Sequence, residues 1–498
     1  MVNVGWWASD EPLHLADGYR FRSSWKWPRP VSVSTNHRLR HMYVLGGTGS
    51  GKTSYAKSLL IQDVRANRGF TLIDPHMQLA NEVIGYIAEL ALGPGRPDAR
   101  RIAELGDKLV IVEPTSQQYG VPGINLLEVK PGQTAYQIVD AIISILHDLW
   151  RDSYGPRMED ICRNSLLLLQ EQNLTPLELI PLLSDGNFRD ALVQKSRNVD
   201  VRQYFGQHLA GLRPAELKTW VESSRNKWSA FLMNPFIRPI LGQARSTIDF
   251  QDILDSGKWC IVAISRDRLK ESRRLFGALL TALIHNAALS REGVPPERRV
   301  FHSILIDEAA DFYTPVFLDI LIGARKFSLG AILLHQNLTQ EPFGTDPSAI
   351  DTLLANTHTR VVFSLSRKDA VRLAGELFYP SGKEVRHQDS SWGIVQEEPK
   401  CWSISDEREA YAAELMKQRQ AEAFISFKGI GDDEPYVAQV PRVPDFIPDP
   451  EKVEILREHV ASRYYRPLAD VEHEIRERWA RIYASAAPPP QIGRDYAL

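Results

Sequence analysis

The chain has 498 residues, 43% of them hydrophobic and 24% charged, and a formal net charge of -3. This composition predicts two or three globular domains and gives no whole-chain signal for nucleic acid, so polyanion contacts must come from local basic patches. Three distant cysteines, Cys162, Cys260 and Cys401, exclude a cysteine metal cluster and favour a reduced, cytoplasmic protein. No signal peptide or membrane segment is predicted, since the longest apolar run, at 277–289, is too short to span.

Eight short apolar runs follow one another along the chain, with helical patterns between most of them. The runs are largely continuous rather than alternating, which is typical of strands buried on both faces of a parallel sheet. Strands that alternate with helices predict an α/β fold with helices on both faces. The predicted strands lie at 41–46, 69–74, 108–113, 258–265, 301–307, 330–335, 359–365 and 422–427.

This pattern divides the chain into five segments. Residues 1–40 are an N-terminal extension with room for one or two strands, and an α/β domain occupies 41–132 and 251–440. Between its two parts, residues 133–250 contain amphipathic helices and no strand pattern, which predicts an inserted all-helical domain. Residues 441–498 begin with a proline-rich exit, and two charged helices and a tail follow. Glu–Arg pairs four residues apart indicate that these two helices are exposed.

A glycine-rich loop follows the first of these strands and precedes a helix. It satisfies the pattern G-x4-G-K-[ST] at Gly46, Gly51, Lys52 and Thr53. Glycines let backbone N–H groups surround phosphate oxygens, and the helix N-terminus adds partial positive charge. We expect Lys52 to hold the β- and γ-phosphates of ATP and the Thr53 hydroxyl to bind Mg²⁺. The residues predicted to contact the nucleotide are Gly46, Gly47, Thr48, Gly49, Ser50, Gly51, Lys52, Thr53 and Ser54.

Two acids end another predicted strand, in SILIDEAADF at 303–312. Asp307 is predicted to bind the metal and Glu308 to polarise the attacking water, which would make the protein a hydrolase. Two acids at the start of a helix are the alternative interpretation, because negative charge is favourable there anyway. Gln336, which follows the strand at 330–335, is predicted to face the γ-phosphate, with an ordinary loop glutamine as the alternative.

Six ordered stretches resemble the HerA/FtsK superfamily of hexameric, RecA-like DNA-pumping ATPases, above all its HerA-like and conjugative coupling (VirD4/TraG-like) branches. They are GGTGSGKTS, FTLIDPHMQLA, KLVIVEPT…GINLLEV, ILIDEAADF, ARKFSLGAILLHQNL and ANTHTRVVFSLSRKDA. The resemblance covers roughly residues 40 to 440. The ordered series is far more specific than the glycine-rich loop, which many families share.

The resemblance implies a RecA-like P-loop NTPase fold with a mostly parallel central sheet, the inserted all-α domain and a helical C-terminal tail. It also implies a ring, with six subunits expected, that hydrolyses ATP at subunit interfaces and threads double-stranded DNA. Arg325 matches the position of a cation that would act on a neighbouring subunit's phosphoryl group, with Lys326 as its substitute. An ordinary surface basic pair is the alternative for these two residues. Asp74 matches a family position that is expected to shape the floor of the site.

Two departures from the family leave the partner open. Membrane-bound coupling proteins usually begin with transmembrane helices, and HerA proteins usually carry a small β-barrel before the ATPase. The sequence before residue 41 predicts neither feature. The possible partners are therefore a nuclease, a relaxase or a membrane-anchored secretion component.

DNA contacts are predicted in the basic loop RDRLKESRRLFG at 266–277, directly after a core strand. Lys270, Arg273 and Arg274 would bind phosphates there and would carry no sequence reading. The solvated start of a helix explains the same residues equally well.

The sequence thus predicts a cytoplasmic, Mg²⁺- and ATP-dependent homo-oligomeric motor that acts on double-stranded DNA. One alternative is a conjugation or secretion ATPase whose substrate is a protein or a protein–DNA complex. The other is a regulatory ring that serves as a scaffold for a partner nuclease or a defence effector.

Overall fold

The fold is described from a computed structural model of the chain. The description covers residues 11–24, 26–93, 99–340, 347–379, 384–389, 396–401, 403–428, 434–443 and 447–485.

Fifteen strands occur in the described residues, and all eight predicted strands are among them. In chain order the strands are β1 Leu13–Arg20, β2 Arg29–Val33, β3 Met42–Leu45, β4 Gly69–Asp74, β5 Leu109–Val112, β6 Val121–Pro122, β7 Trp259–Ala263, β8 His302–Ile306, β9 Leu329–His335, β10 Thr359–Val362, β11 Glu384–Asp389, β12 Gln396–Cys401, β13 Glu422–Phe427, β14 Tyr436–Gln439 and β15 Tyr465–Arg466.

Eleven of these strands form one sheet, in the order β2-β1-β14-β13-β10-β3-β9-β8-β4-β7-β5. The seven strands from β10 to β5 are parallel. The other four extend the sheet as an antiparallel edge. The parallel strands all end at the same edge, so the loops that follow them meet there.

The predicted α/β class and the mostly parallel sheet are therefore confirmed. Every residue of the seven parallel strands is buried, as their continuous apolar sequences require. Successive side chains point to opposite faces and fill two separate cores. In β3, for example, Tyr43 and Leu45 belong to one core, whereas Met42 and Val44 belong to the other.

Twenty α-helices occur within the described residues. In chain order they are α1 Thr35–Arg38, α2 Lys52–Arg65, α3 Gln78–Leu92, α4 Ala99–Lys108, α5 Ala135–Leu149, α6 Pro156–Glu171, α7 Leu179–Ser184, α8 Gly186–Val193, α9 Val199–Gln203, α10 Pro214–Leu232, α11 Arg238–Leu241, α12 Phe250–Asp255, α13 Arg266–Leu269, α14 Ser272–Leu289, α15 Pro315–Gly323, α16 Pro347–Asn356, α17 Arg367–Leu377, α18 Ile404–Met416, α19 Pro450–Tyr464 and α20 Leu468–Ala484.

The chain between β6 and β7 is helical, from α5 to α12, and every residue there is described. Its apolar residues, Trp228 and Phe188 among them, belong to the same core as Tyr43 and Leu45 of the sheet. The helical segment therefore packs directly onto one face of the sheet.

Residues 447–485, which we call the C-terminal strap, lie along the body of the protein. Leu456 and Val460 of α19 belong to one core, and Val471 and Ile475 of α20 belong to the other. The strap thus crosses from one face of the sheet to the other beside the edge strand β5. The prediction that these helices are exposed is wrong for one side of each, because their apolar residues are buried against the body.

Candidate active site

The predicted site residues converge at the carboxyl edge of four neighbouring strands, β3, β9, β8 and β4. The glycine-rich loop, at 46–53, follows β3, and Gln336 follows β9. Asp307 and Glu308 follow β8, and Asp74 is the last residue of β4. Residues far apart in the sequence therefore meet because parallel strands bring their carboxyl ends together.

The glycine-rich loop is hydrogen-bonded to residues at the carboxyl ends of β9 and β10, the two neighbours of β3. The Gly46 N–H donates to the carbonyl of His335 at 3.2 Å, and the Gly47 N–H donates to the carbonyl of Ser364 at 3.1 Å. A Cβ at Gly46 would lie 2.5 Å from the Cβ of Phe363, so no larger residue fits there. Gly51, with φ of +113°, leads into α2 in a conformation that favours glycine. The loop and the helix N-terminus together form an anion-binding concavity.

The side chain of Lys52 folds back onto this loop. Its side chain is buried, and the ammonium donates to the carbonyls of Gly46 and Gly47, the latter at 3.1 Å. Burial lowers the pKa of Lys52, whereas the nearby negative charges of Glu308 and Asp307 oppose this shift. An ammonium that is already desolvated beside the loop is well placed to bind phosphate oxygens.

Asp307 is buried at the end of β8, where its N–H donates to the carbonyl of Ile73 at 3.0 Å. Its Oδ1 accepts the Glu308 N–H, also at 3.0 Å. Burial, followed by the charges of Asp74 and Glu308, raises the pKa of Asp307 from its ordinary 3.8 to about 7. The ionised form of Asp307 is therefore costly in this buried corner, and a bound cation would offset that cost.

Glu308 has a left-handed backbone, with φ of +48°, which is uncommon for a residue with a side chain. Its Oε1 accepts a hydrogen bond from the side-chain amide of Gln336. Its Oε2 is buried and has no hydrogen-bond partner in the described residues. One carboxylate oxygen is therefore held in place, and the other remains available to accept a proton from a water molecule.

Gln336 connects the acid to the glycine-rich loop. Its amide nitrogen donates to Glu308, and its Oε1 accepts the Thr48 hydroxyl at 3.4 Å. The Gln336 side chain therefore connects the acid pair with the glycine-rich loop, the two parts of the site that would respond to a γ-phosphate.

One further side chain in this site, that of His76, is not predicted by the sequence motifs. Its Nε2 lies 3.9 Å from Oε1 of Glu308. The sequence contained a signal, because His76 comes two residues after Asp74 at the end of a predicted strand. Asp74 itself binds backbone, accepting the N–H groups of His76 at 2.8 Å and of Ala80 at 2.9 Å.

The residues suit a magnesium nucleotide better than a metal held by protein alone. No group of three or more His, Cys, Asp or Glu side chains in the described residues has metal-binding geometry. Magnesium in phosphate-binding sites usually takes one or two protein ligands, and phosphates and water complete its shell. Thr53, half-buried in the first turn of α2, and Asp307 are the candidate ligands.

Arg325 and Lys326 lie in a 3-10 turn just before β9, at the opposite edge of the sheet, and both are exposed. Arg325 lies near His41, which precedes β3 at the same edge. Burial, with a contribution from the charge of Arg325, lowers the pKa of His41 to about 4. The seven residues of β9 span roughly 20 Å. Arg325 is therefore about one strand length away from the Lys52 site of its own chain.

The three predicted DNA contacts differ in their accessibility. Arg273 is buried and donates to the Asp311 carboxylate at 3.0 and 3.2 Å, which leaves it little access to DNA. Arg274 is half-buried, whereas Lys270 is exposed at the end of α13. Lys270 is thus the most accessible of the three.

No protein-family model matches this sequence, and no curated protein matches it significantly. Solved structures do match. The unbound form of the bacterial conjugative coupling protein TrwBΔN70 has a TM-score of 0.55 at 17% identity and covers 84% of this chain and 88% of that one. TrwB with ADP and Mg²⁺ has a TM-score of 0.55 at 16% identity and covers 90% and 98%. The fold is that of TrwB.

VirB4 of Thermoanaerobacter pseudethanolicus shares the fold less closely, with a TM-score of 0.52 at 13% identity over 86% of this chain and 97% of VirB4. The predicted resemblance to the conjugative coupling branch is thus confirmed at the level of the fold. In this TrwB-like chain, no helix of the described residues is long and apolar enough to cross a membrane.

Proposed function

We propose that this protein is a Mg²⁺-dependent ATPase. The observation that carries the proposal is the convergence of Lys52, Asp307, Glu308 and Gln336 at the carboxyl edge of neighbouring strands. The proposal is also supported by TrwB, which has this fold and has been crystallised with ADP and Mg²⁺.

Each side chain has a separate role in the proposed reaction. Lys52 and the loop amides bind the phosphates, and Thr53 and Asp307 hold the metal, which neutralises developing charge when bound. Glu308 accepts a proton from the attacking water, and Gln336 orients both the acid and the loop.

We further propose that the ATPase works as a homo-oligomeric ring, with six subunits expected, that moves double-stranded DNA. The distance of Arg325 from its own site supports an arrangement in which it serves a neighbouring subunit. The exposed Lys270 supports a phosphate contact in the channel. Both assignments rest also on the resemblance in the ordered sequence stretches.

ATP hydrolysis by the purified chain tests the enzymatic part of this proposal. Lys52→Ala should abolish turnover, because the phosphates lose their buried cation. Glu308→Gln should bind ATP with near-normal affinity and lower kcat by about 100-fold or more, since a general base contributes about 10²–10⁴. Normal turnover in Glu308→Gln would place the base elsewhere.

Stimulation of hydrolysis by duplex DNA tests the substrate. Lys270→Glu should reduce the stimulation and weaken its dependence on salt, with basal hydrolysis unchanged. Lys417→Glu is the matched control, because Lys417 is an exposed lysine directly after α18 that pairs with Glu414. Equal stimulation in Lys270→Glu and the control would exclude this contact.

A conjugation ATPase that acts on a protein or protein–DNA complex is the second candidate. The specific observation in its favour is the fold shared with a conjugative coupling protein and with VirB4. This candidate predicts that duplex DNA alone leaves hydrolysis unchanged. Turnover by the isolated chain would contradict the remaining alternative, a purely regulatory ring.

A further inference from the structure

His76 is a basic side chain at the mouth of the proposed active site, and neither the motif patterns nor the predicted mechanism gave it a role. Its Nε2 lies 3.9 Å from Oε1 of Glu308, the same oxygen that accepts the Gln336 amide. The His76 side chain is 40% exposed, whereas that of Glu308 is 9% exposed. His76 therefore approaches the acid from the solvent side.

The backbone around His76 is fixed by the end of β4. Oδ1 of Asp74 accepts the His76 N–H at 2.8 Å, and Oδ2 accepts the Ala80 N–H at 2.9 Å. Met77 has a left-handed backbone, with φ of +65°, and α3 begins at the next residue. This tight turn fixes the His76 backbone beside the acid pair, and the imidazole lies 3.9 Å from Glu308.

The charges around the imidazole also favour this contact. Burial raises the pKa of Asp74, and burial together with the charges of Asp74 and Glu308 raises that of Asp307, so a hydrogen-bond donor beside this acidic corner is favourable. The charge of Lys52 also acts on Asp307 and Glu308, and the Lys52 ammonium binds the loop carbonyls. The 3.9 Å separation is about 1 Å longer than a hydrogen bond, so a small rotation of the exposed imidazole toward Glu308 would let Nε2–H donate to Oε1.

We propose that His76 is a positioning residue for Glu308, an assignment that rests on the proposed ATPase function. Its Nε2–H and the Gln336 amide hold Oε1 from two sides and direct the buried Oε2 toward the attacking water. Glu308, with its unusual backbone, needs such support, because a base displaced by about 1 Å can lose up to about 10²-fold in rate.

The test compares steady-state ATP hydrolysis with equilibrium binding of a fluorescent non-hydrolysable ATP analogue and Mg²⁺. His76→Ala should lower kcat by about 10- to 100-fold with little change in analogue affinity. His76→Gln, which keeps a side-chain N–H donor, should recover part of the loss. The control is His473→Ala, because His473 is an exposed histidine on α20 that pairs with Glu477.

A double variant separates positioning from a general structural role. If His76 acts through Glu308, then His76→Ala in a Glu308→Gln background should cost nothing further. Wild-type kcat in His76→Ala, additive losses in the double variant or an equal loss of analogue affinity would each overturn the assignment. If the wild-type chain shows no turnover, the ATPase proposal is overturned as well. If the wild-type chain and the His473→Ala control are active and His76→Ala is equally active, only the assignment of His76 is overturned.

Discussion

At the residue scale, the candidate site concentrates negative charge in a place that water barely reaches. Asp74, Asp307 and Glu308 share a buried corner, and the pKa of Asp307 rises to about 7 as a result. Such crowding destabilises the ionised protein and at the same time creates affinity for a cation. The stability lost here is therefore connected directly to the proposed function.

The replacement Asp307→Asn should stabilise the protein in the absence of nucleotide and remove its Mg²⁺-dependent turnover. The pKa of Asp307 is higher in the folded than in the unfolded chain. The protonated side chain therefore costs no stability below about pH 4, and the free energy of unfolding falls as the pH rises from there through 7. The rise of this pKa from 3.8 to about 7 corresponds to a cost of up to about 4 kcal/mol at pH 8, and the relief of this cost should shrink to about 2 kcal/mol at pH 5. Thermal unfolding of both proteins at the two pH values measures this difference, and equal differences at both would contradict the account.

At the scale of elements, the C-terminal strap fastens the sheet to the helical segment. At the sheet end, Arg457 pairs with Glu113, and the Tyr465 hydroxyl donates to the Ile111 carbonyl of β5 at 3.2 Å. At the helical end, Arg478 is buried in an ion pair with Glu178. A Cβ on Gly120 would collide with the Arg466 carbonyl, so the body of the protein has a glycine where the strap passes.

Loss of the Arg478 side chain should destabilise the fold strongly. Its Nε donates to Oε1 of Glu178 at 2.9 Å, its terminal nitrogen donates to the Gly242 carbonyl at 2.7 Å, and both members of the pair are buried. Arg478→Met would leave Glu178 as an unpaired buried charge, which costs about 3–5 kcal/mol.

Chemical denaturation measures this cost, and the double variant Arg478→Met with Glu178→Gln controls for it. The double variant should recover part of the stability, because no buried charge then lacks a partner. A single variant within about 0.5 kcal/mol of wild type would show that the strap is not held by this pair.

At the scale of the whole molecule, the two halves of the proposed reaction lie at opposite edges of the sheet. The phosphate loop and the acid pair occupy the carboxyl edge, and the exposed Arg325 occupies the amino edge. A side chain cannot span a whole strand, so Arg325 can contribute to catalysis only in a neighbouring copy. Closed rings of identical subunits provide such head-to-tail contacts.

Mixing two inactive variants should restore part of the hydrolysis. Arg325→Ala keeps Lys52, and Lys52→Ala keeps Arg325, so a mixed ring contains some interfaces with both residues. Arg325→Ala alone should lose about 10³-fold or more, as expected for a cation that acts across the interface, and Lys52→Ala alone should be inactive. Full activity of Arg325→Ala alone would assign the role to another residue, and Lys326→Ala is the next variant to measure.

The sequence alone predicted the parts of this protein whose signals are local. Apolar runs predicted all seven parallel strands, because a strand buried on both faces is mostly apolar rather than alternating with exposed polar residues. The glycine spacing around Lys52 and the acids at 307 and 308 predicted the candidate site, since backbone wrapping of a phosphate needs glycines in a fixed pattern.

Only the tertiary structure decided which distant groups meet. The partnership of Arg273 with Asp311, the approach of His76 to Glu308 and the docking of the strap all join residues that are far apart in sequence. The edge strands β1, β2 and β14 likewise depend on partners elsewhere in the chain. Local sequence determines backbone preference and burial. Which strands and side chains meet depends on residues elsewhere in the chain, and no short stretch of sequence specifies those partners.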